Sequence, residues 1–146
     1  MTVIRKSAIV PYSADEMYAL VADIDAYGQF LPWCGGAQVL QREPETVTAA
    51  IRIAYRGVNK SFTTRNVLDP GRAMTLQLVD GPFRRLHGRW HFEPLDDRAC
   101  KVSLELDFEF SNRLVAMLVG PVFESIGNDL VDSFRRRAES LYGKRR

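Results

Sequence analysis

The sequence of 146 residues contains only two cysteines and two histidines, and this scarcity excludes several classes of protein. Cys34 and Cys100 lie far apart in the chain, so they provide neither a disulfide framework nor a metal-binding spacing. His87 and His91 are four residues apart, but on a strand they would lie about 13 Å apart, too far to share a metal ion. We therefore expect no metal site and two reduced thiols.

Long hydrophobic runs are also absent. No apolar stretch approaches the ~20 residues that cross a bilayer, and the first ten residues lack the uninterrupted apolar core of a signal peptide. With 46% hydrophobic and 26% charged residues, the composition is that of an ordinary globular protein with one core. We expect a single domain over residues 1–146, located in the cytoplasm.

The excess of positive charge is small and lies at one end of the chain. Residues 134–146 contain six basic residues and one glutamate, a charge of +5, so the rest must carry −3 to give the formal +2. A basic end suits anionic lipids at the inner face of the cell membrane, or ribosomal RNA. The simpler interpretation, which we prefer, is a solvated helix end whose cations complement the helix dipole.

The C-terminal residues 111–142 have the pattern of one long helix. Apolar residues recur in three- and four-residue steps, Ser111 or Asn112 can cap the start, and Gly143 suits a left-handed end. Pro121 lacks the N–H that an interior helical position donates, so we expect a kink there and a shorter movable segment before it. The apolar stripe consists of Val119, Phe123, Ile126, Leu130, Phe134, Ala138 and Leu141.

The N-terminal part predicts a strand, a helix and an aromatic loop. Residues 2–10 form the strand, and Ser13 with Glu16 makes a capping box that starts the helix. A short helix and an irregular segment follow at residues 27–36, where large apolar side chains stand among glycines. These side chains are either packed in the core or available to an apolar partner. They are Phe30, Leu31 and Trp33.

Between Ala37 and Phe110 the hydrophobic period changes to two, and turn signals divide this segment into six antiparallel strands. Together with the first strand they predict a seven-stranded sheet. One side of the 37–110 meander is apolar and only the helices can cover it, so the sheet should curl around the C-terminal helix in an α+β fold. Polar groups on this inward side are Tyr55, Thr64 and Asn66.

The charged residues of the last hairpin favour one register of its two strands. If Trp90 pairs with Leu104, the outward side of the hairpin opposes residues of opposite charge. A basic row that resembles a nucleic-acid patch is then better interpreted as a solvated, paired surface, and we expect no DNA partner. The expected pairs are Arg85 with Glu109, His87 with Asp107, Arg89 with Glu105 and Glu93 with Lys101.

Motifs that would indicate catalysis are missing. The sequence has no nucleophile elbow and no phosphate-binding glycine loop, and its acidic row faces outward, away from a pocket that would tune a general acid. An inward side that is apolar apart from a few hydrogen-bonding groups suits a hydrophobic ligand better than proton transfer. We therefore expect no catalytic residue, no cofactor and no enzymatic activity.

Two glycines in the C-terminal helix require an explanation, because glycine inside a helix costs roughly 1 kcal/mol relative to alanine. Gly120 and Gly127 either leave a space that side chains do not fill or allow the helix to approach the sheet closely. The sequence leaves both explanations open.

Four segments in order resemble a known family. They are VPYSADEMYALVADIDAYGQFLPWC, FTTRN, LVDGPFRRLHGRWHFEPL and LDFEFSNRL. Over essentially the whole chain they closely resemble the coenzyme Q-binding branch of the START-like, polyketide cyclase-like superfamily, which includes the bacterial ribosome association toxins. The resemblance implies a helix-grip fold with a hydrophobic tunnel. It also implies binding of ubiquinone or another isoprenoid lipid in support of respiration or, alternatively, binding to the large ribosomal subunit that blocks subunit joining.

We expect the ligand to pass between the 27–36 loop and the helical segment before Pro121, with Thr64 and Asn66 donating to quinone carbonyls. The candidate partners are a ubiquinone-like molecule, the large ribosomal subunit and a peripheral membrane surface. The residues expected to contact the ligand are Phe30, Leu31, Trp33, Tyr55, Thr64, Asn66, Trp90, Phe110, Met117, Gly120, Phe123 and Gly127.

Overall fold

The computed structural model describes residues 2–145, which form seven strands, two α-helices and one 3₁₀ helix. The strands are β1 (Thr2–Val10), β2 (Cys34–Arg42), β3 (Thr46–Tyr55), β4 (Val58–Asp69), β5 (Ala73–Asp80), β6 (Phe83–Asp96) and β7 (Ala99–Phe110). The helices are α1 (Ala14–Ala22), the 3₁₀ helix (Ile24–Gln29) and α2 (Arg113–Tyr142). All strands pair antiparallel in one curved sheet of order β1-β7-β6-β5-β4-β3-β2, which confirms the predicted α+β helix-grip fold.

The start of α1 is the predicted capping box. Ser13 Oγ accepts the Glu16 N–H at 3.1 Å, and Glu16 Oε1 accepts the Ser13 N–H at 3.0 Å. These bonds satisfy N–H groups that the first turn of a helix leaves without partners. Met17 and Val21, one turn apart on the buried side, are fully covered by the rest of the chain.

The concave side of the sheet is the side that the sequence alternation predicted. On β7, for example, Val102, Leu104, Leu106 and Phe108 are buried, and their neighbours in sequence are partly or fully exposed. Buried apolar side chains from the sheet, α1 and α2 form one cluster. The core therefore lies between the concave side of the sheet and the helices.

The turn between β3 and β4 is a tight hairpin turn with an unusual backbone. Tyr55 pairs with Val58, so Arg56 and Gly57 alone form the loop, with φ angles of 48° and 83°. Two positive φ angles match the turn that fits the right-handed twist of a hairpin, and such turns favour asparagine or glycine. An arginine in this position is unusual.

The register of the β6–β7 hairpin is confirmed, but its ion pairs differ from those expected. The four outward pairs and the Trp90–Leu104 pair are opposite each other. However, Glu105 bonds Arg5 of β1 at 2.9 Å and Asp107 bonds Arg85 at 2.8 Å, so these carboxylates bond neighbours other than the β6 residues directly opposite them. Within residues 2–145 Arg89 forms no ion pair, because the Glu105 carboxylate opposite it bonds Arg5 of β1, on the other side of β7.

The long helix α2 begins where it was predicted to begin. Asn112 Oδ1 accepts the Val115 N–H at 2.9 Å, and the N–H of Gly143, which has φ 90°, donates to the Glu139 carbonyl at 3.0 Å. The helix is continuous through Pro121. Its predicted stripe is correct except at the end, because Leu141 is 53% exposed.

By length and composition α2 could cross a membrane, with a mean hydropathy of 1.4 in its most apolar window. This corrects the expectation that no stretch approaches that length. The core helix of a globular protein passes the same test, and α2 packs along β1 and β7 through its buried stripe. Only 33% of its most apolar window is buried, however, and Leu114, Met117 and Leu118 near the start of the helix are exposed.

The basic C-terminal end is largely paired within the chain. Arg145 bonds the two carboxylate oxygens of Glu16 at 2.7 and 3.0 Å, and its guanidinium lies 5.0 Å from the centre of the Tyr12 ring. This pairing supports the interpretation of a solvated helix end; Arg146 lies outside the described residues. Arg135 pairs with Asp132 and Glu139, and Arg136 pairs with Asp129 and Asp132.

Candidate ligand-binding site under the long helix

An enclosed apolar cavity of about 70 Å³ lies between the concave side of the sheet and α2. Strands β3 to β7 provide its floor, and α2, the 3₁₀ helix and the loop before β2 provide its walls. The cavity has no charged side chain in its lining. The lining residues are Tyr27, Trp33, Ile51, Ile53, Phe62, Thr64, Leu76, Leu86, Trp90, Leu106, Phe123, Ile126, Leu130 and Phe134.

The two hydroxyl groups at this cavity already have partners. Thr64 Oγ1 donates to Asn66 Oδ1 at 2.9 Å, and both side chains are buried. The Tyr27 hydroxyl donates to the Val21 carbonyl, and burial raises the pKa of Tyr27 well above its ordinary value. Among residues 2–145 no fully buried side-chain nitrogen or oxygen lacks a hydrogen-bond partner. The hydroxyl groups of Thr64 and Tyr27 are therefore both engaged within the protein.

The cavity is small for the predicted ligand. An engineered cavity of about 150 Å³ binds benzene, and pockets for small molecules usually enclose about 300–1,000 Å³. The 70 Å³ observed here is less than half of the smaller figure. Lining side chains must therefore move to admit a prenyl chain or a substituted ring.

Of the residues expected to contact a ligand, four line this cavity: Trp33, Thr64, Trp90 and Phe123. Asn66 is bonded to Thr64 beside it. The two other aromatic-loop candidates are packed. Leu31 is buried in the core, and the half-buried Phe30 ring lies 5.3 Å from that of Phe134, centre to centre.

Four further candidates lie outside the cavity. The Phe110 ring stacks on Phe83 at 5.2 Å, and Gly120 faces Phe110. A Cβ at Gly127 would lie 2.8 Å from Ile4 Cδ1, so this glycine allows close approach of α2 to β1 and leaves no space. Met117 is 68% exposed near the start of α2.

Ten lining residues were not named in advance as ligand contacts. Nine of them come from the strands and α2 and lie on the inward side that the alternation and the helical stripe predicted. That signal identifies them as inward, but it does not tell which inward residues surround a space. The ten are Tyr27, Ile51, Ile53, Phe62, Leu76, Leu86, Leu106, Ile126, Leu130 and Phe134.

A polar cleft of about 400 Å³ adjoins the cavity on the outside. Trp33 and Ile126 line both spaces, so their side chains separate the cleft from the interior. Tyr55, the remaining candidate, lies here. The cleft is next to a part of α2 that follows Pro121, whereas the ligand path was expected before it. Its lining consists of Pro32, Trp33, Tyr55, Arg56, Ser125, Ile126, Asn128 and Asp129.

The two thiols are separate and protonated at neutral pH. Both are free, Cys34 half-buried and Cys100 buried. Burial raises the pKa of Cys100 to about 11 and the pKa of Cys34 above its ordinary value. Neither cysteine is therefore an activated nucleophile. In the described part of the chain no three His, Cys, Asp or Glu residues are grouped so that they could hold a metal ion.

Known proteins are similar to this chain in sequence and in fold. Residues 10–135 match the family described as polyketide cyclase/dehydrase and lipid transport. Ribosome association toxin RatA of Escherichia coli K12 is 43% identical over 145 residues, 99% of this chain and 92% of that protein. Coenzyme Q-binding protein coq10, mitochondrial, of Schizosaccharomyces pombe is 29% identical over 142 residues, 92% of this chain and 85% of that protein.

A solved structure extends the comparison. The crystal structure of the Zhui aromatase/cyclase from Streptomyces sp. R1128 superposes with a TM-score of 0.82 at 18% identity, over 94% of this chain and 93% of that one. At this identity the likeness shows the fold. Because the family pattern covers most of the chain and a relative at 43% identity covers nearly all of it, this protein belongs to the polyketide cyclase/dehydrase and lipid transport family.

Proposed function

We propose that this protein binds an isoprenoid lipid of the ubiquinone class between the sheet and α2, in the cytoplasm and without transforming it. The observation that carries the proposal is the enclosed cavity, which lacks charged side chains and is apolar apart from Thr64, the Tyr27 hydroxyl and the indole N–H groups of two tryptophans. Moving an apolar chain from water into such a site stabilises the complex by about 25 cal/mol per Å² of surface buried. The protein would then act as a carrier or chaperone that supports respiratory electron transport.

The relatives and the chemistry of the interior support this role. One relative, 29% identical, is named as a coenzyme Q-binding protein. The cavity lining contains no carboxylate, histidine or lysine that would transfer a proton to a bound substrate. Burial keeps both thiols protonated. These features favour binding over catalysis.

Admission of the ligand requires side-chain movement at Trp33. The backbone of this residue is fixed, because its carbonyl accepts the Ala54 N–H of β3 at 2.9 Å. Its indole, by contrast, is held only by packing between the cavity and the cleft. Rotation of the indole opens the interior without unfolding the loop.

Cavity filling tests the proposal. Leu130→Phe adds a ring to the lining of the cavity, whereas Leu141→Phe adds the same ring to an exposed position of the same helix. We expect titration with a short-chain ubiquinone to give at least a tenfold weaker affinity for Leu130→Phe and no change for Leu141→Phe. Wild-type affinity in a folded Leu130→Phe variant would place the ligand elsewhere.

A second candidate function is binding to the large ribosomal subunit and inhibition of subunit joining. The observation that favours it is the 43% identity with a ribosome association toxin over nearly the whole of both chains. Cosedimentation with purified large subunits, followed by a subunit-joining assay, tests this function. We expect retention with the large subunit and a reduced yield of joined ribosomes. Absence of both effects at micromolar protein would rule it out.

A further inference from the structure

We infer that an amphipathic prenyl lipid binds with its tail in the cavity and its hydrogen-bond-accepting head in the polar cleft outside Trp33, where Arg56 donates to it. The inference rests on the proposed lipid-binding function. This orientation is the reverse of the one expected from the sequence, in which Thr64 and Asn66 donate to the quinone carbonyls.

The two buried polar side chains on the inward side of β4 already bond each other. They are Thr64 and Asn66, and no fully buried side-chain polar atom in residues 2–145 lacks a partner. A quinone carbonyl placed there would have to break the Thr64–Asn66 bond to accept from the Thr64 hydroxyl. A hydrocarbon tail makes no such demand. The chemistry of the cavity therefore matches the apolar end of the ligand.

The relative sizes of the two spaces agree with this orientation. The cavity measures about 70 Å³ and the cleft about 400 Å³. A substituted quinone ring needs its whole width at once, and only the cleft offers it. A slender prenyl chain can pass between Trp33 and Ile126 and displace lining side chains one unit at a time.

Arg56 is the cation available to a head group in the cleft. It forms no ion pair among residues 2–145, and its guanidinium lies 4.8 Å from the centre of the Tyr55 ring. The acidic member of the cleft, Asp129, is already bonded to Arg136 at 3.4 Å and Ser133 at 3.1 Å. A guanidinium has five N–H donors, so stacking on Tyr55 leaves it able to bond carbonyl oxygens.

The backbone at Arg56 provides an independent reason to assign it a role. Its φ of 48° lies in the left-handed region, which residues other than glycine and asparagine rarely adopt. The two-residue turn would form more easily with asparagine there. Such unfavoured conformations concentrate at ligand-binding sites.

The test compares two probes and three variants. The probes are a ubiquinone with a two-unit prenyl tail and myrcene, a hydrocarbon of two prenyl units without a head. The variants are Arg56→Gln, the interior Thr64→Val, and Lys60→Gln, which removes one exposed cation from the same hairpin outside the cleft. Binding is measured by quenching of, or shifts in, tryptophan fluorescence.

We expect Arg56→Gln to weaken the ubiquinone by about tenfold, the loss typical of a charged hydrogen bond, and to leave myrcene unchanged. Thr64→Val and Lys60→Gln should bind both probes within about twofold of wild type. Equal weakening of both probes by Arg56→Gln, or weakening of the ubiquinone only by Thr64→Val, would overturn the orientation while leaving lipid binding intact. If neither probe binds the wild-type protein, the proposed function fails with it.

Discussion

Thr64 and Asn66 are polar residues in an apolar interior, and each is stable there because the other is its hydrogen-bond partner. Their backbones lie on β4, two residues apart on the same side, opposite Leu78 and Leu76 of β5. A buried polar group that loses its partner still carries its desolvation free energy, with no hydrogen bond to offset it. Replacing both partners with apolar groups removes that desolvation cost. The pair therefore contributes to stability as a unit.

The effects of substituting Thr64 and Asn66 on the free energy of unfolding should therefore not be additive. We expect Thr64→Val to lower the free energy of unfolding by about 1–3 kcal/mol, because Asn66 is left buried without its donor. The double variant Thr64→Val/Asn66→Leu should be more stable than the sum of the single variants predicts. Urea unfolding measures both, with Thr63→Val, on the outward side, as a control within about 0.5 kcal/mol of wild type. Simple additivity would contradict the account.

Glu16 joins two parts of the chain that are distant in sequence, since it caps α1 and bonds Arg145 after α2. The hydrogen bond from Arg145, together with the Ser13 N–H, lowers the pKa of Glu16 below its ordinary value of 4.5. A carboxyl whose pKa is lowered by folding stabilises the protein above its unfolded pKa, and this contribution disappears as the pH falls through the lowered pKa.

The Arg145 contribution should therefore depend on pH. We expect Arg145→Gln to have a lower Tm than wild type at pH 7, and the difference to shrink below about pH 4.5 as Glu16 is protonated in both proteins. Thermal melts at a series of pH values measure this difference. Lys144→Gln, one residue earlier and exposed, controls for loss of charge. A difference in Tm that persisted at pH 2 would show that Arg145 acts through packing alone.

At the scale of elements, α2 is the part on which the interior depends. Phe134 is 1% exposed, and its ring meets those of Tyr27, Phe30 and Trp90 at 5.3 to 5.4 Å, centre to centre. Two turns later Leu141 has passed the edge of the core and is exposed. The helical period predicts both as members of one stripe, because periodicity gives the direction of a side chain and not where the covering sheet ends.

This difference along one helix gives a matched pair of truncations. We expect Phe134→Ala to lower the free energy of unfolding by about 3–5 kcal/mol, through lost burial and the space left behind. Leu141→Ala should change it by less than about 0.5 kcal/mol. Chemical denaturation measures both values. Losses of similar size would mean that the interior does not depend on the Phe134 layer.

The Gly120–Pro121 step shows why α2 remains helical through a proline. A side chain on the residue before proline clashes with the proline ring in the helical conformation, and Gly120 has none. From the rest of residues 2–145, a Cβ there would meet the Phe110 ring at an ordinary 3.6 Å. The glycine thus serves the helix backbone and contributes no space to the cavity.

The step can be tested by a double-mutant cycle. With Pro121 present, we expect Gly120→Ala to destabilise the protein, because the new methyl group meets the proline ring. In a Pro121→Ala background the same change should stabilise it by up to about 1 kcal/mol, the helix preference of alanine over glycine. Urea unfolding of the four proteins gives the coupling. Equal effects in both backgrounds would refute the steric explanation.

At the scale of the whole molecule, the sequence was sufficient to predict the elements, the inward side of the sheet and the β6–β7 register, because these follow from local period and turn chemistry. It was not sufficient to place the cavity. Gly127 lies against Ile4 and Phe110 against Phe83, contacts that depend on how α2 crosses the sheet. Likewise Glu105 pairs with Arg5 across a strand pair formed by opposite ends of the chain.

The chain has two tryptophans, and both line the cavity, Trp33 at its boundary with the cleft and Trp90 on the sheet. A ¹H–¹⁵N spectrum therefore contains two indole signals, and both report on the proposed site. The most direct test is to titrate the labelled protein with a short-chain ubiquinone while following these two signals. We predict that both indole signals shift and reach saturation together, and that Leu130→Phe moves saturation to at least tenfold higher ubiquinone concentration. Indole signals that stay fixed while amides on the outer side of the sheet shift would contradict binding beneath α2.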